Sequence, residues 1–320
     1  MKAAIIGGAG YTGGELIRLL MVHPYADLVS VVSDSQQGKA IASIHKDLRG
    51  DCDLTFAAKA DEGAELLFIC KGHGESAKYL AANPEMLGKF IVDLSTDFRP
   101  RANPHNFVYG LPELNKSHIA SAKHIANPGC FATAIQLGLM PLAQAGLLQS
   151  DIHIHAITGS SGAGQQARPT THFSWRNNNV SIYKLFEHQH LAEITESLQQ
   201  AQPGFSQEIH FVPLRGNFPR GILASVYTRS GLSHLEALEA YTQYYQTHPF
   251  VTVTEEDISL KEVVNTNKCL LQIRKKGKQL HITSIIDNLL KGASGQAVQN
   301  MNLLNGWDEN AGLKLKAIAL

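Results

Sequence analysis

The stretch KAAIIGGAGYTGGELIRLL (residues 2–20) decides the fold of the N-terminal part of the chain. A short apolar run leads into a glycine-rich turn, and leucines at helical spacing follow it, so the stretch predicts a strand, a tight turn and a helix. Further apolar strands are predicted at 28–34, 65–72 and 89–99, with a helical stretch between the last two. This alternation predicts a parallel sheet covered by helices on both faces, extending to about residue 130.

The turn in this stretch carries the pattern G-x-G-x-x-G. Glycines at these spacings let the backbone turn tightly and approach a pyrophosphate, which the free N–H groups of the following helix would bind. Because the pattern lies between a strand and a helix, it indicates a nicotinamide dinucleotide site, and a glycine turn without a ligand is the alternative. The residues expected to bind the dinucleotide are Gly8, Ala9, Gly10, Tyr11, Thr12 and Gly13.

The end of the second strand bears on the choice between NAD(H) and NADP(H). Asp34 lies 21 residues after Gly13, where a carboxylate can hold the ribose 2′-hydroxyl of NAD and would repel a 2′-phosphate. The neighbouring groups that would suit a 2′-phosphate are Ser33, Ser35 and Lys39. His73 ends a later strand, where open α/β sheets place their ligands, and we expect it beside cofactor or substrate.

The pattern changes after residue 130. A helix follows, which we expect to bend or end near Pro141, and then several segments alternate with period two, as half-exposed antiparallel strands do. The fold class is therefore α/β, with a Rossmann-type parallel-sheet domain and a second, α+β domain built on a mixed sheet. We divide the chain into a dinucleotide-binding domain (1–130), a catalytic and oligomerisation domain (131–287) and a C-terminal helix (288–320) that completes the first domain.

Composition limits the possible functions. Lys+Arg and Asp+Glu balance at 28 each, which argues against nucleic acid or an anionic membrane as partner. The initial apolar run is too short for a signal peptide, and no later stretch approaches a membrane span. The four cysteines are scattered with no C-x-x-C pair, so we expect a reducing cytoplasm.

Cys130 lies in NPGCFATA (127–134), at the first turn of the predicted helix, with Asn127 able to cap that helix. The thiol could fill the core, bind a metal or attack a substrate. Helix N-termini favour the thiolate, which is the attacking species. Together with a nicotinamide, an activated thiol implies that the sulfur attacks an acyl carbon and that hydride reduces the resulting thioester to an aldehyde. Such chemistry needs a general acid-base near the sulfur.

Other residues are candidates for the rest of the site. His188 and His190 lie in YKLFEHQHLAEI (183–194) and would share one face if extended, but no third ligand keeps metal-site spacing, so no metal is expected. GSSGAG (159–164) could present backbone N–H groups to an oxyanion or phosphate. Arg215 and Arg220 could form a fork for a carboxylate or phosphate, or lie at the surface.

Several segments resemble one known family, the N-acetyl-gamma-glutamyl-phosphate reductases of arginine biosynthesis. The stretch IANPGCFATAIQLGLMP (125–141) matches the family's active-site signature position by position. The other matching segments are GGAGYTGGEL (7–16), VDLSTDFR (92–99), YGLPELN (109–115), GSSGAG (159–164), HQHLAEI (188–194), RGILASVY (220–227) and DNLLKGASGQAVQNMN (287–302).

The resemblance implies a semialdehyde-dehydrogenase-like fold and the NADPH-dependent reduction of N-acetyl-L-glutamyl 5-phosphate, an acyl phosphate, to the 5-semialdehyde and phosphate. It implies Cys130 as the nucleophile, His188 as the catalytic histidine and Asn288 as a residue near the nicotinamide. It also implies a homodimer or homotetramer. The residues expected to contact substrate are Ser160, Ser161, Gly162, His190 and Arg220.

The chain departs from the family pattern at two positions. Asp34 follows Ser33 where the family often has arginine, which leaves NAD(H) open beside NADP(H). Gln189 stands where arginine is common, which leaves an N-succinyl substrate open. The alternatives are an aspartate-semialdehyde-type enzyme, a cysteine hydrolase, and a non-catalytic dinucleotide-binding protein.

Overall fold

The N-terminal strand-turn-helix forms as the apolar pattern predicts, and a seven-stranded parallel sheet grows on both sides of its strand. The computed structural model describes residues 1–318. The chain forms two units, one made of 1–129 and 293–314, the other of 130–292 and 315–318. The strands of the first unit are β1 (Lys2–Ile6), β2 (Asp27–Val32), β3 (Phe56–Ala57), β4 (Leu66–Ile69), β5 (Phe90–Asp93), β6 (Val108–Tyr109) and β7 (His124–Ala126).

The order of the strands in this sheet is β3-β2-β1-β4-β5-β7-β6, and all neighbours run parallel. The order turns back at β1 and β4, which is the point where open α/β sheets bind ligands beyond the carboxyl ends of their strands. The helices that precede residue 130 are α1 (Tyr11–Leu20), α2 (Ile41–Ile44), α3 (Glu75–Ala82) and α4 (Pro112–Ala120), with short 3₁₀ turns at Lys46–Leu48 and Pro84–Gly88.

The second unit is a mixed sheet packed against helices. Its strands are β8 (Ile152–Thr158), β9 (Ser181–Ile182), β10 (Ile209–Arg215), β11 (Ile222–Arg229), β12 (Val251–Thr254), β13 (Cys269–Lys276) and β14 (Gln279–Ile286). Its helices are α5 (Cys130–Gln144), α6 (Phe173–Arg176), α7 (His190–Ala201) and α8 (His234–Tyr245), with 3₁₀ turns at Ser160–Ala163, Pro169–Thr171 and Leu260–Glu262.

The strand order of the mixed sheet is β12-β13-β14-β11-β8-β10-β9. The period-two segments are strands, as predicted, but the pairings β8–β10 and β12–β13 are parallel rather than antiparallel. Alternate residues of β8 and β11 are buried, and α5 packs on that buried face. The helix predicted to bend or end near Pro141 includes this proline and ends three residues after it, at Gln144.

After a π-helical turn at Leu290–Ser294, the chain rejoins the first unit as α9 (Gly295–Leu304). All ten residues of α9 are buried, and the helix packs against α1, α4 and β5. Asn300 donates to Gly110 O at 2.8 Å and to Asn127 Oδ1 at 3.0 Å, and Asn127 donates to Ala293 O at 3.1 Å. The Asn127 side chain, expected to cap α5, thus joins α9 to the rest of the first unit.

The predicted fold class, a parallel α/β unit followed by a mixed-sheet unit, is confirmed. Within residues 1–318, no helix combines the length and the apolar character that crossing a membrane requires.

Candidate active site

Cys130 is the first residue of α5 and is partly exposed. The helix N-terminus directs free N–H groups and a partial positive charge toward the sulfur, which favours the thiolate. The other three thiols lie in different environments. Cys52 and Cys269 are buried, and desolvation raises the pKa of the Cys70 thiol to about 12, so that it stays protonated at neutral pH. The thiol at the helix N-terminus is therefore the one best placed to react.

Gly292 lies directly against Cys130. A Cβ atom added to Gly292 would come within 2.8 Å of the Cys130 Cβ and 3.2 Å of its Cα. The Gly292 N–H donates to Asp287 O at 2.9 Å, which fixes the turn that carries this glycine. Only glycine allows the backbone to approach the cysteine this closely.

The Asp287 carboxylate anchors this turn and is fully buried. It forms an ion pair with Arg220, whose Nε and Nη2 lie 3.1 and 3.0 Å from Oδ2. It also accepts from the backbone N–H groups of Asn265 at 2.6 Å and Leu289 at 2.8 Å. The structure therefore places Arg220, expected to contact substrate, in a structural ion pair.

Asn288, the residue after Asp287, and the carbonyls of Phe218 and Pro219 hold the GSSGAG loop (159–164) in place. Asn288 accepts from the Gly221 N–H at 2.7 Å and donates to Ser161 Oγ at 2.9 Å, and Ser161 Oγ donates to Pro219 O at 2.6 Å. The backbone N–H groups of Ser160 and Ser161 donate to the carbonyls of Phe218 and Pro219. These two N–H groups are thus used internally, contrary to the expectation that the loop presents them to an anion.

His188 is buried, with 4% of its surface exposed. Burial, and to a lesser extent the neighbouring His190 and Lys184, lowers its pKa from 6.5 to about 3. Its Nδ1 accepts the His190 backbone N–H at 3.2 Å. A neutral imidazole that accepts at Nδ1 carries its proton on Nε2. His188 therefore presents an Nε2–H donor.

Aromatic rings hold His188 in place and link it to the N-terminal turn of α5. Its ring centroid lies 5.4 Å from that of Phe131, the residue after Cys130, and 5.4 Å from that of Phe211. On another side lies Tyr183, with the two ring centroids 5.7 Å apart. These contacts fix the plane of the imidazole.

His190 contacts His188 and lies close to Glu193. The two histidine rings are 4.6 Å apart, and His190 Nε2 lies 3.8 Å from Glu193 Oε1. His190 is the first residue of α7, so the pair is not extended as the H-x-H spacing suggested. Gln136 on α5 donates to Glu193 O at 3.1 Å and to Ser197 Oγ at 3.0 Å, which joins the two helices.

Tyr183, whose ring lies next to His188, also contacts Arg215. The Arg215 guanidinium carbon lies 4.3 Å from the Tyr183 ring centroid. Burial raises the pKa of Tyr183 to about 12; Arg215 opposes this effect and Cys130 adds to it. Among the described residues, Arg215 Nε has no hydrogen-bond partner, although it is buried. The Arg215 Nε–H group can therefore donate a hydrogen bond to a bound anion.

In the first unit, the glycine turn joins β1 to α1 as the sequence predicts. A Cβ on Gly13 would lie 2.6 Å from the Gly8 Cα, and one on Gly8 would lie 2.1 Å from a Val31 methyl, so these two glycines serve close packing. A Cβ on Gly10 would meet nothing within 4 Å. The space over Gly10 is the space that a pyrophosphate needs at a helix N-terminus, so the turn fits a dinucleotide.

An ion pair lies beside this turn. Asp34, after β2, accepts from Lys71 Nζ, after β4, at 2.6 Å, and the pair connects the strands on the two sides of β1. Ser33 is buried, Ser35 is exposed, and the exposed Lys39 donates to Gln36 Oε1 at 3.0 Å. His73 Nδ1 accepts the Thr96 N–H at 3.2 Å beyond the end of β4.

The structure thus places His188 against Phe131, the residue after Cys130, in the second unit. The predicted dinucleotide residues from Gly8 to His73 lie in the first unit, whereas Asn288 lies in the second. Sequence reasoning missed Tyr183, Asp287, Gly292 and Lys71. Only Gly292 had a signal, a glycine in a helical pattern, which indicates close packing. Among residues 1–318, no three histidine, cysteine or acidic side chains are grouped as metal ligands would be.

Comparison with known proteins gives one consistent result. Residues 2–122 match the family described as "Semialdehyde dehydrogenase, NAD binding domain", and residues 130–288 match "Semialdehyde dehydrogenase, dimerisation domain". The N-acetyl-gamma-glutamyl-phosphate reductase of Christiangramia forsetii is 55% identical over 99% of both chains. That of Parabacteroides distasonis is 52% identical over 100% of this chain and 99% of its own.

Solved structures share the fold at low identity. Aspartate semialdehyde dehydrogenase II from Vibrio cholerae superposes with a TM-score of 0.74 at 17% identity, covering 95% of this chain and 98% of its own. The aspartate semialdehyde dehydrogenase of Candida albicans, solved with NADP, gives 0.71 at 14% identity, covering 97% and 99%.

The glycine turn generates a paired prediction. Gly13→Ala should lower the free energy of unfolding by about 2 kcal/mol, because the new methyl meets backbone at 2.6 Å. Gly10→Ala should change it by less than about 0.5 kcal/mol and weaken dinucleotide binding about tenfold or more. Urea unfolding and titration calorimetry measure the two effects, and equal stability losses in both variants would contradict this assignment.

The buried His188 predicts acid sensitivity. Its pKa is lowered on folding, so the unfolded state binds more protons below pH 6.5, and stability is lost as the pH falls from about 6.5 toward 3. Between pH 7.5 and 5, wild type should lose about 2 kcal/mol more than His188→Gln in urea unfolding. The exposed His172→Gln is the control and should follow wild type. A His188→Gln curve parallel to wild type would show that the buried imidazole is not responsible.

Proposed function

The chain belongs to the semialdehyde dehydrogenase family and, within it, to the N-acetyl-gamma-glutamyl-phosphate reductases, and we propose that it reduces N-acetyl-L-glutamyl 5-phosphate to the 5-semialdehyde through a thioester on Cys130. The reaction is reversible and belongs to arginine biosynthesis. The observation that carries the mechanism is Cys130 at the amino end of α5, with the neutral His188 fixed beside the same turn.

The first step uses the sulfur and the helix N-terminus. The Cys130 thiolate attacks the C5 carbonyl carbon, so a C–S bond forms, the C–O bond to phosphate breaks, and phosphate leaves with the bonding electrons. The partial positive charge at the start of α5 stabilises the thiolate before attack. Gly292 leaves room for this step, because a side chain there would displace the cysteine.

The second step converts the thioester to the aldehyde. A bound nicotinamide supplies a hydride for this reduction. The His188 Nε2–H donates a hydrogen bond to the oxygen that becomes negatively charged, which lowers the energy of the tetrahedral species on Cys130. That species then expels the thiolate and releases the aldehyde, so this direction requires no complete proton transfer from His188.

Anion binding falls to Arg215 rather than Arg220. Arg220 is committed to the buried Asp287, whereas Arg215 has an unpartnered Nε and lies over Tyr183 next to His188. A guanidinium in this place suits the phosphate or the carboxylate of the substrate. Ser160 and His190 complete the proposed substrate contacts.

The Asp34–Lys71 pair supports NADP(H) as the cofactor. With its charge matched by Lys71, the Asp34 carboxylate repels a 2′-phosphate less, and Lys71 and Lys39 add positive charge near the end of β2. A structural neighbour was solved with NADP, and NAD(H) is the alternative. The match of residues 130–288 to a dimerisation domain supports self-association, as a homodimer or homotetramer.

The covalent mechanism predicts the effect of replacing the Cys130 sulfur with oxygen. Cys130→Ser should lower phosphate-dependent oxidation of N-acetylglutamate 5-semialdehyde by at least about 10³-fold, since a serine hydroxyl is hardly ionised at neutral pH. Turnover is measured by the rise of NADPH absorbance, with dinucleotide binding as the test of folding. Cys52→Ser is the control and should retain most activity. Full turnover by Cys130→Ser would disprove the thioester.

The cofactor proposal is tested at Lys71. Lys71→Ala removes a cation and leaves the Asp34 charge unmatched, so KM for NADPH should rise about tenfold while KM for NADH changes less than about twofold. Lys46→Ala, an exposed lysine elsewhere in the first unit, is the control. Assays with N-acetyl and N-succinyl semialdehydes also identify the acyl group. A wild-type preference for NADH would show that Asp34 binds the ribose.

A further inference from the structure

A histidine of the first unit, His45, binds the backbone of the glycine turn. It follows α2, is only 8% exposed, and its Nε2 lies 2.8 Å from the Gly8 carbonyl oxygen. Because a carbonyl oxygen can only accept, the imidazole carries a proton on Nε2 and donates this hydrogen bond. A side chain from outside the strand, turn and helix thus holds the turn itself.

The sequence makes room for this imidazole with a further glycine. A Cβ atom on Gly14, inside α1, would lie 2.6 Å from His45 Nδ1 and 2.7 Å from its Cε1. Glycine inside a helix is destabilising relative to alanine, so its presence here is explained by the ring that packs on it. The ring also contacts Phe56, with the two centroids 6.2 Å apart, and the His45 N–H donates to Ile41 O at 2.9 Å. These contacts fix the position of the imidazole.

The turn needs an outside contact because its own sequence leaves the backbone free. Five of the eight residues from 7 to 14 are glycine, and glycine adopts many backbone conformations. The N–H groups of Gly7 and Gly8 donate to Val32 O at 3.0 and 2.9 Å, which fixes the entry to the turn. The next peptide joins Gly8 to Ala9, and His45 holds it through its carbonyl oxygen.

The orientation of this peptide decides where the Ala9 N–H points. In a planar trans peptide the N–H and C=O groups point in opposite directions, so the bond from His45 to Gly8 O directs the Ala9 N–H away from the imidazole. Within residues 1–318 this N–H has no hydrogen-bond partner. A free backbone N–H just before a helix is the kind of donor that a pyrophosphate accepts from.

We propose that His45 is a positioning residue for the nicotinamide dinucleotide. Its Nε2–H holds the Gly8–Ala9 peptide in the orientation that offers the Ala9 N–H to the pyrophosphate, so the turn is ordered before the dinucleotide binds. His45 acts through the turn and is not itself a ligand. The inference rests on the part of the proposed function that assigns a dinucleotide to this turn.

The test compares His45→Phe with His45→Gln. Phenylalanine keeps a ring and removes the donor, whereas the glutamine amide reaches about as far as Nε2 and restores an N–H. Calorimetric titration of the full chain with NADPH should give a Kd about tenfold higher for His45→Phe and within about threefold of wild type for His45→Gln. At saturating NADPH, kcat should stay within about twofold of wild type in both variants, because only the affinity of the turn is changed.

His124→Phe is the control for a purely structural effect. His124 begins β7, at the edge of the parallel sheet opposite the turn, and its ring nitrogens lie 3.1 Å from His105 O and 3.2 Å from Leu87 O. Its replacement should lower the free energy of unfolding in urea, as His45→Phe does, and should leave the Kd for NADPH within about twofold of wild type. Without dinucleotide, amide hydrogen exchange of residues 7–14 should be faster in His45→Phe and unchanged in His124→Phe.

Three results would overturn the inference: a wild-type Kd in His45→Phe, a His45→Gln that binds as weakly as His45→Phe, or a His124→Phe that weakens binding equally. If wild type binds neither NADPH nor NADH, the proposed function fails and this inference fails with it. If His45→Phe does not fold, His45→Asn provides the same comparison, because its amide is one methylene shorter than that of His45→Gln.

Discussion

A single buried carboxylate holds together the part of the second unit that carries Cys130. Asp287 lies at the end of β14, where it accepts from Arg220 and from several backbone N–H groups. A carboxylate with no exposed surface is costly unless it is paired and hydrogen-bonded. Because Asp287 meets both requirements, the turn after it has one conformation, and that turn places Gly292 against the cysteine.

A second group of contacts fixes His188. Phe131, Phe211 and Tyr183 surround the imidazole and exclude water from it. The resulting low dielectric keeps the ring neutral and makes its Nε2–H a more effective donor. The reaction thus uses the Cys130 sulfur at the N-terminus of α5 and a neutral hydrogen-bond donor, the Nε2–H group of His188.

The predictable part of the molecule was the part that local sequence determines. The glycine turn, the period-two strands and the cysteine at the start of α5 each follow from neighbours within about ten residues. Asp287 was not predictable as an anchor, because its partners Arg220 and Asn265 are 67 and 22 residues away. The exact end of α5 was not predictable for a related reason: α5 is almost wholly buried, and packing maintains the helix for three residues past Pro141.

The first unit consists of two separate segments of the sequence, and this affects the order in which it can fold during synthesis. Its parallel sheet is complete at residue 126, but α9 follows only after about 170 further residues (127–294) have been synthesised. At ribosomal rates this interval is roughly 10 to 30 s. Until then, the surfaces of α1 and α4 that α9 buries stay open. A helix synthesised after residues 130–292 of the second unit therefore completes the first unit.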